Sequence, residues 1–138
     1  MVSDTEIQTL TPPGPFSVSL FEDDATYAPL VLFEFPPGIH SEPDVHGLVL
    51  SDGSTKMSVF EANGRYGNGP GWTDVALGII RAEMPEAERS IEMNPEGGQF
   101  AAYGARPVLE RLGRLLHATY HDDVALGAAV RAAPYEYE

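Results

Sequence analysis

A glycine-dense turn at residues 63–71 constrains the fold of this chain more than any other feature. It follows an apolar run at 57–62, which we predict to be a β-strand, and it leads directly into Trp72, the only tryptophan. Two Asn-Gly pairs, Asn63-Gly64 and Asn68-Gly69, tolerate positive φ, so the backbone can reverse twice within a few residues. The segment therefore predicts a strand, a sharp turn and a helix in that order.

The residues after the turn predict an amphipathic helix that Pro85 ends. Its apolar side chains recur at the three- and four-residue spacing of one buried face. They are Trp72, Val75, Ala76, Ile79, Ile80 and Met84. We therefore expect Trp72 to anchor this helix in the core.

Strand, glycine turn and helix is also the order of a phosphate-binding loop. Such a loop needs successive backbone N–H groups and commonly a lysine that holds the phosphate. Here Pro70 lacks an N–H, no lysine follows, and Asp74 places a carboxylate in the first helical turn. The sequence instead predicts a structural turn that docks Trp72.

Short apolar runs elsewhere predict further strands, and two turn sequences predict hairpins. The hairpin turns are residues 51–54, which contain Asp52-Gly53, and residues 94–98, which contain Pro95. The six predicted strands lie near residues 16–21, 30–35, 48–50, 56–61, 91–93 and 99–103.

The C-terminal third predicts two helices. The first follows Pro107, a residue tolerated in a first turn, and carries a leucine-rich stripe from Val108 to Leu116. Asp122 or Asp123 can cap the second, which Pro134 ends.

Because strands dominate before residue 70 and helices after 105, the fold class is α+β. We expect a mostly antiparallel sheet of about five or six strands packed by two or three helices. The expected organisation is a single domain, 1–138, whose residues 1–15 form a flexible leader rich in proline at its end.

Several motifs together resemble the immunity protein 51 family. They are the run from Phe60 to Gly69, the helix that Trp72 leads, residues 93–100 and the leucine-rich helix. The resemblance covers residues 57 to about 130 and implies neutralisation of a cognate toxin from a bacterial polymorphic or contact-dependent toxin system. The residues that carry the motif are Asn63, Gly64, Gly67, Asn68, Gly69, Trp72, Glu96 and Phe100.

Net charge excludes some partner classes. Twenty-one acidic residues oppose eight basic ones, giving a formal net charge of -13. Such a field repels nucleic acid and anionic membranes and attracts cationic partners. Residues 1–63 contain ten acidic residues, and Lys56 is the single basic residue among them. This excess is either a solvated surface or a patch for a basic toxin, and the candidate partner-binding residues are Glu22, Asp23, Asp24, Glu42 and Asp44.

Catalytic and metal-binding patterns are thin. Residues 40–46 place His40, Glu42, Asp44 and His46 at alternating positions, but Pro43 disfavours the paired strand that would align them.

A second pair, His117 and His121, lies one helical turn apart near a helix C-terminus, where histidines commonly interact with exposed carbonyls. We therefore predict no catalytic residues, no metal and no cofactor. Two alternatives stay open: a small metal- or ligand-binding enzyme that uses His40 and His46, or a subunit of a larger assembly.

The tyrosines are candidate interface anchors, since tyrosine joins apolar area to a hydrogen-bonding group. Near the C-terminus, Tyr135 and Tyr137 alternate with glutamates, which also predicts a short strand. The full set is Tyr27, Tyr66, Tyr103, Tyr120, Tyr135 and Tyr137.

The N-terminal sequence has no basic, hydrophobic signal segment, and no apolar run is long enough to span a membrane. The chain contains no cysteine, which agrees with a reducing compartment. We therefore expect a cytoplasmic protein.

Overall fold

A computed structural model describes residues 21–35 and 45–138. The strands are β1 (Glu22–Asp23), β2 (Val31–Glu34), β3 (Val45–Leu50), β4 (Glu92–Met93) and β5 (Phe100–Ala105). The helices are α1 (Met57–Glu61), α2 (Gly69–Glu83), α3 (Arg106–Tyr120) and α4 (Asp123–Ala132), with 3-10 turns at Ser54–Lys56 and Pro85–Ser90.

The described strands form one antiparallel sheet in the order β1-β2-β3-β5-β4. In the centre, Leu48 of β3 lies opposite Leu32 of β2 and Ala102 of β5, and all three are buried. Alternation along each strand places such residues on one face, against which α2 and α3 pack. The α+β prediction is confirmed, while residues 1–15 and most of the predicted strand at 16–21 lie outside the described residues.

Trp72 lies at the centre of the packing between helices. Only 2% of it is exposed, and its ring centroid is 5.1 Å from that of Phe60 and 5.7 Å from that of Tyr120. The indole N–H donates to the carbonyl of Gly53, 3.5 Å away. This one side chain therefore joins α1, α2 and α3 to the loop after β3.

Helix α2 was predicted from its apolar spacing, and it begins three residues before Trp72. Asn68 caps it, because its Oδ1 accepts from the N–H of Gly71 at 2.9 Å, and Pro70 occupies the first turn. The second sharp turn expected at Asn68-Gly69 is therefore absent, because these residues begin the helix. In the described part of the chain, positive φ occurs at Gly64 (+77°) and Gly97 (+56°).

The strand predicted at 56–61 is also wrong, together with its hairpin turn at 51–54. These residues form a 3-10 turn and α1, and Phe60 is the buried residue of that helix. The reason is that β3 already pairs with β2 along one edge and with β5 along the other, so no edge remains for a hairpin partner.

The second predicted hairpin is confirmed, and the glycine turn packs against it. Glu96 pairs with Gln99 at its tip, and Phe100 enters the core at the start of β5. The N–H of Gly69 donates to the carbonyl of Gly97 at 2.7 Å, and a Cβ at position 69 would lie 2.4 Å from the carbonyl oxygen of Gln99. Only glycine permits this approach of two backbones.

Helices α3 and α4 agree with the sequence pattern. Pro107 stands in the first turn of α3, whose leucines enter the core. Asp122 caps α4, since its Oδ1 accepts from the N–H groups of Val124 and Ala125 at 3.1 Å each.

Replacing Trp72 with alanine is expected to lower the free energy of unfolding by about 3 to 5 kcal/mol, because the change empties the junction of three helices. The shift in the urea denaturation midpoint measures it. An unchanged midpoint would contradict the role of Trp72 in the core.

Gly53→Ala tests the same packing from the other side. A Cβ at Gly53 would lie 2.1 Å from the indole nitrogen of Trp72, so the variant is expected to lose about 1 to 3 kcal/mol of stability. Gly98→Ala is the control, because a Cβ there meets no atom within 4 Å. The comparison fails if the two variants denature at the same midpoint.

Candidate functional site

A buried ion pair between Arg65 and Asp74 organises the surface at the end of α4. Arg65 is 4% exposed and Asp74 fully buried, and Nη2 of Arg65 lies 3.2 Å from Oδ2 of Asp74. Each ion needs further hydrogen bonds, because burial removes the water that would otherwise solvate it.

The guanidinium of Arg65 satisfies its remaining N–H groups on the C-terminal end of α4. It donates to the carbonyl oxygens of Val130 at 3.2 Å, Ala133 at 2.7 Å and Pro134 at 2.6 Å. A cation is favourable at this end of a helix, where the carbonyls lack intrahelical partners. Arg65 therefore fixes both the end of α4 and the direction in which the chain leaves it.

Asp74 binds the segment that follows α4. Its Oδ1 accepts from the N–H groups of Glu136 and Tyr137, and its Oδ2 accepts from that of Glu138, each at 3.0 Å. Glu138 also bonds Nε of Arg65 at 3.0 Å. Because these amides point at one carboxylate, the strand predicted around residues 135–137 is wrong.

Three tyrosine side chains next to this buried ion pair are exposed to solvent. The Tyr135 ring lies 3.7 Å from Cζ of Arg65 and is still 68% exposed, and Tyr137 is 41% exposed. Tyr66 is 62% exposed, and its N–H donates to Oε2 of Glu138 at 3.1 Å.

A shallow groove lies between α1 and α4. It is lined by Val59 of α1, by Ala62 just after that helix and by Gly127 of α4. Val124, which is 83% exposed, stands at one end. At the other end Arg131 donates to Oδ1 of Asn63 at 2.9 Å, next to the turn that carries Arg65 and Tyr66. We call the exposed residues Tyr66, Val124, Tyr135 and Tyr137 the tyrosine face.

The other predicted tyrosine anchors lie elsewhere. Tyr27 and Tyr120 are buried in the core, at 6% and 9% exposure, so their prediction as interface residues is wrong. Tyr103 lies half-buried in β5, where its ring is 5.3 Å from that of Phe35.

The acidic candidates divide into two groups. Glu22 and Asp24 are exposed at β1, whereas Asp23 caps the following turn by accepting from the N–H groups of Ala25 at 3.0 Å and Thr26 at 2.9 Å. The side-chain hydrogen bond of Thr26, followed by these backbone bonds, holds the pKa of Asp23 below its usual value. Glu42 and Asp44 lie outside the described residues.

The structure places two histidine candidates on a common acceptor. Nδ1 of His117 and Nε2 of His121 lie 3.0 and 2.7 Å from the carbonyl oxygen of Ala28, in the loop before β2. They therefore join α3 to this loop, which differs from the expected contact with the carbonyls of their own helix.

His46 is buried in β3, with its ring 6.1 Å from that of Phe21. Its predicted companions His40, Glu42 and Asp44 lie outside the described residues. Within 21–35 and 45–138, no group of three or more His, Cys, Asp or Glu side chains is placed to hold a metal ion.

A comparison with protein families matches residues 39–134 to immunity protein 51. The chain belongs to the immunity protein 51 family. It is therefore an immunity protein, and family membership implies a cognate toxin as its partner. The match begins before the motif at 57 and takes in β3, so it is wider than the sequence resemblance.

Comparisons with curated proteins and with solved structures found no significant match. None of the helices in the described residues of this immunity protein is both long and apolar enough to cross a membrane.

Sequence reasoning missed the ion pair that supports the tyrosine face. Its partners are nine residues apart, and the segment that they bind lies more than sixty residues further along. One signal was available: Asp74 lies between Trp72 and Val75, which belong to the buried face of α2. A carboxylate at such a position requires a buried partner.

Arg65→Ala is expected to lower the free energy of unfolding by about 3 to 5 kcal/mol, because Asp74 would stay buried without its cation. The double variant Arg65→Ala, Asp74→Ala should lose less stability in total than the sum of the losses of the two single variants, since it leaves no buried charge without a partner. Urea denaturation of the four proteins gives the coupling energy. Simple additivity would contradict an energetically coupled pair.

Arg111→Ala is the control for that measurement. Arg111 also pairs with a carboxylate, at 2.7 Å from Glu86, but the two side chains are 45% and 66% exposed. Solvent screens such a pair, so the expected loss is at most about 1 kcal/mol.

Proposed function

We propose that this immunity protein neutralises its toxin by binding and occlusion, without chemistry of its own. Membership of the immunity protein 51 family carries the proposal. The formal net charge of -13 supports a cationic partner, because opposite net charges accelerate encounter and select against acidic proteins.

A nuclease toxin fits this charge best. The cleft of a nuclease must be positive to hold the phosphates of its substrate. An acidic protein that covers the cleft competes with the nucleic acid for the same cations. Inhibition then requires only that the complex lasts longer than an encounter with substrate.

Glu22 and Asp24 are proposed to guide the toxin towards the complex. Both are exposed at β1, and Asp23 between them is fixed by the turn that it caps. Glu42 and Asp44 remain proposed partner-binding residues on the grounds of sequence alone, because they lie outside the described residues. The encounter is proposed to take place in the cytoplasm, a compartment with which the cysteine-free sequence is compatible.

Association with the toxin is expected to slow steeply as salt rises, because exposed charges are screened beyond about 10 Å at 0.1 M. Glu22→Lys with Asp24→Lys should slow association much more than dissociation and leave the unfolding midpoint nearly unchanged. Asp23 is kept, since its loss would also open the turn. Stopped-flow binding at several salt concentrations measures both rates.

Glu83→Lys with Glu92→Lys is the matched control, since both side chains are exposed and the net charge changes by the same amount. The control should slow association less. Equal slowing by both variants would show that only the net charge matters and would contradict a local acidic patch. Association rates that do not depend on salt would contradict electrostatic guidance of any kind.

Occlusion also predicts stoichiometric protection. Titration of a fixed amount of toxin with this protein is expected to abolish toxin activity at one chain per toxin, because each inhibitor remains bound. The residual toxin activity at each ratio is the measurement. Complete inactivation by a small fraction of an equivalent would indicate turnover and contradict a purely binding mechanism.

A further inference from the structure

We infer that the tyrosine face is the surface that contacts the toxin. This inference rests on the proposed function and adds the location of the interface. The face consists of Tyr66, Val124, Tyr135 and Tyr137, which are the large hydrophobic side chains exposed in the described part of the chain.

The composition of the face suits the centre of a protein interface. Tyrosine is enriched among the residues that contribute most to binding, because it joins a large apolar ring to a hydrogen-bonding hydroxyl. Three of the four residues are tyrosines, and Val124 is more exposed than any of them, at 83%.

The groove is connected to the turn that carries Tyr66 through Asn63. The groove between α1 and α4 runs from Val124 to Arg131, where Arg131 bonds Asn63. The chain turns after Asn63 at Gly64 and then presents Tyr66 beside Glu138. A single partner can therefore contact both the groove and the tyrosines.

Three carboxylates beside the face are already paired within the chain. Asp123 lies 2.8 Å from Lys56, Glu136 lies 2.5 Å from Arg81, and Glu138 bonds Arg65 at 3.0 Å. Covering the face therefore strands no unpaired ion among these residues, which is the usual penalty for burying charge. Charged residues at the centre of interfaces are depleted for the same reason.

Part of the face is held in place by contacts within the chain. Asp74 holds the backbone of residues 136–138, and Arg65 lies against the Tyr135 ring. If this segment became ordered only on binding, the ordering would reduce the affinity. Here the segment is already ordered in the folded chain.

Charge decides which partner covers the face. A second copy of the chain would bring another net charge of -13 against the first, so long-range repulsion disfavours a homodimer. A cationic toxin is attracted by the same field. The face then supplies the short-range contacts, and the exposed carboxylates elsewhere supply the attraction.

The test uses a purified, inactivated toxin domain that this chain protects against, and the reading frame next to its gene is the first candidate to express. Tyr66→Ala and Val124→Gln leave the net charge unchanged. Each is expected to weaken the complex about tenfold or more, through faster dissociation, with the salt dependence of association retained. Surface-plasmon resonance gives both rate constants.

Ala118→Gln is the matched control for Val124→Gln. It introduces the same side chain at an exposed helical position outside the face, on α3, and should leave both rates unchanged. Hydroxyl-radical footprinting of the unaltered proteins provides a second readout, in which Tyr66, Tyr135 and Tyr137 should lose reactivity when the toxin binds.

If the Tyr66→Ala, Val124→Gln double variant bound the toxin with unaltered affinity, the tyrosine face would not be the toxin interface, while the proposed function would still stand. Tyrosines that stay equally reactive in the complex, or a stable homodimer that this double variant dissociates, would lead to the same conclusion. Failure of the unaltered chain to bind the toxin would overturn the proposed function and the face together.

Discussion

The burial of Arg65 and Asp74 is the constraint on which the candidate site depends. Each ion in a protein interior must be surrounded by groups that replace water. The pair meets this demand with the end of α4 and with residues 134–138, so segments distant in the sequence become fixed to one another. The glycine turn has a matching role, because Gly64 at φ +77° brings Arg65 back to bond the carbonyl of Phe60.

Local patterns predicted the elements whose signals are local. Apolar spacing and a following proline predicted α2, the pair Asp122-Asp123 predicted the start of α4, and Pro95 predicted the hairpin turn between β4 and β5. Caps, turn residues and apolar spacing act on backbone and side-chain groups a few positions away, so each can be recognised from a short stretch of sequence. The α+β class followed from their distribution.

The errors share a different cause. Residues 56–61 have the composition of a strand, but pairing depends on whether the sheet offers a free edge, and β3 has none. Asn68 is equally suited to a turn and to a helix cap, and the packing of Gly69 on Gly97 decides between them. The family motif is visible in sequence because these contacts require particular residues, whereas exposed tyrosines such as Tyr66 obey no such geometric rule.

The connection between Arg65 and Glu138 has a consequence for synthesis of the protein. The two residues are 73 positions apart, and a ribosome that adds 5–20 residues per second takes roughly 4 to 15 seconds to cover that distance. For most of this interval the nascent chain contains Arg65 and Asp74 without the segment that encloses them. The tyrosines can take their final positions only after residues 134–138 have emerged, so a truncated translation product could carry the whole glycine motif and still lack a working surface.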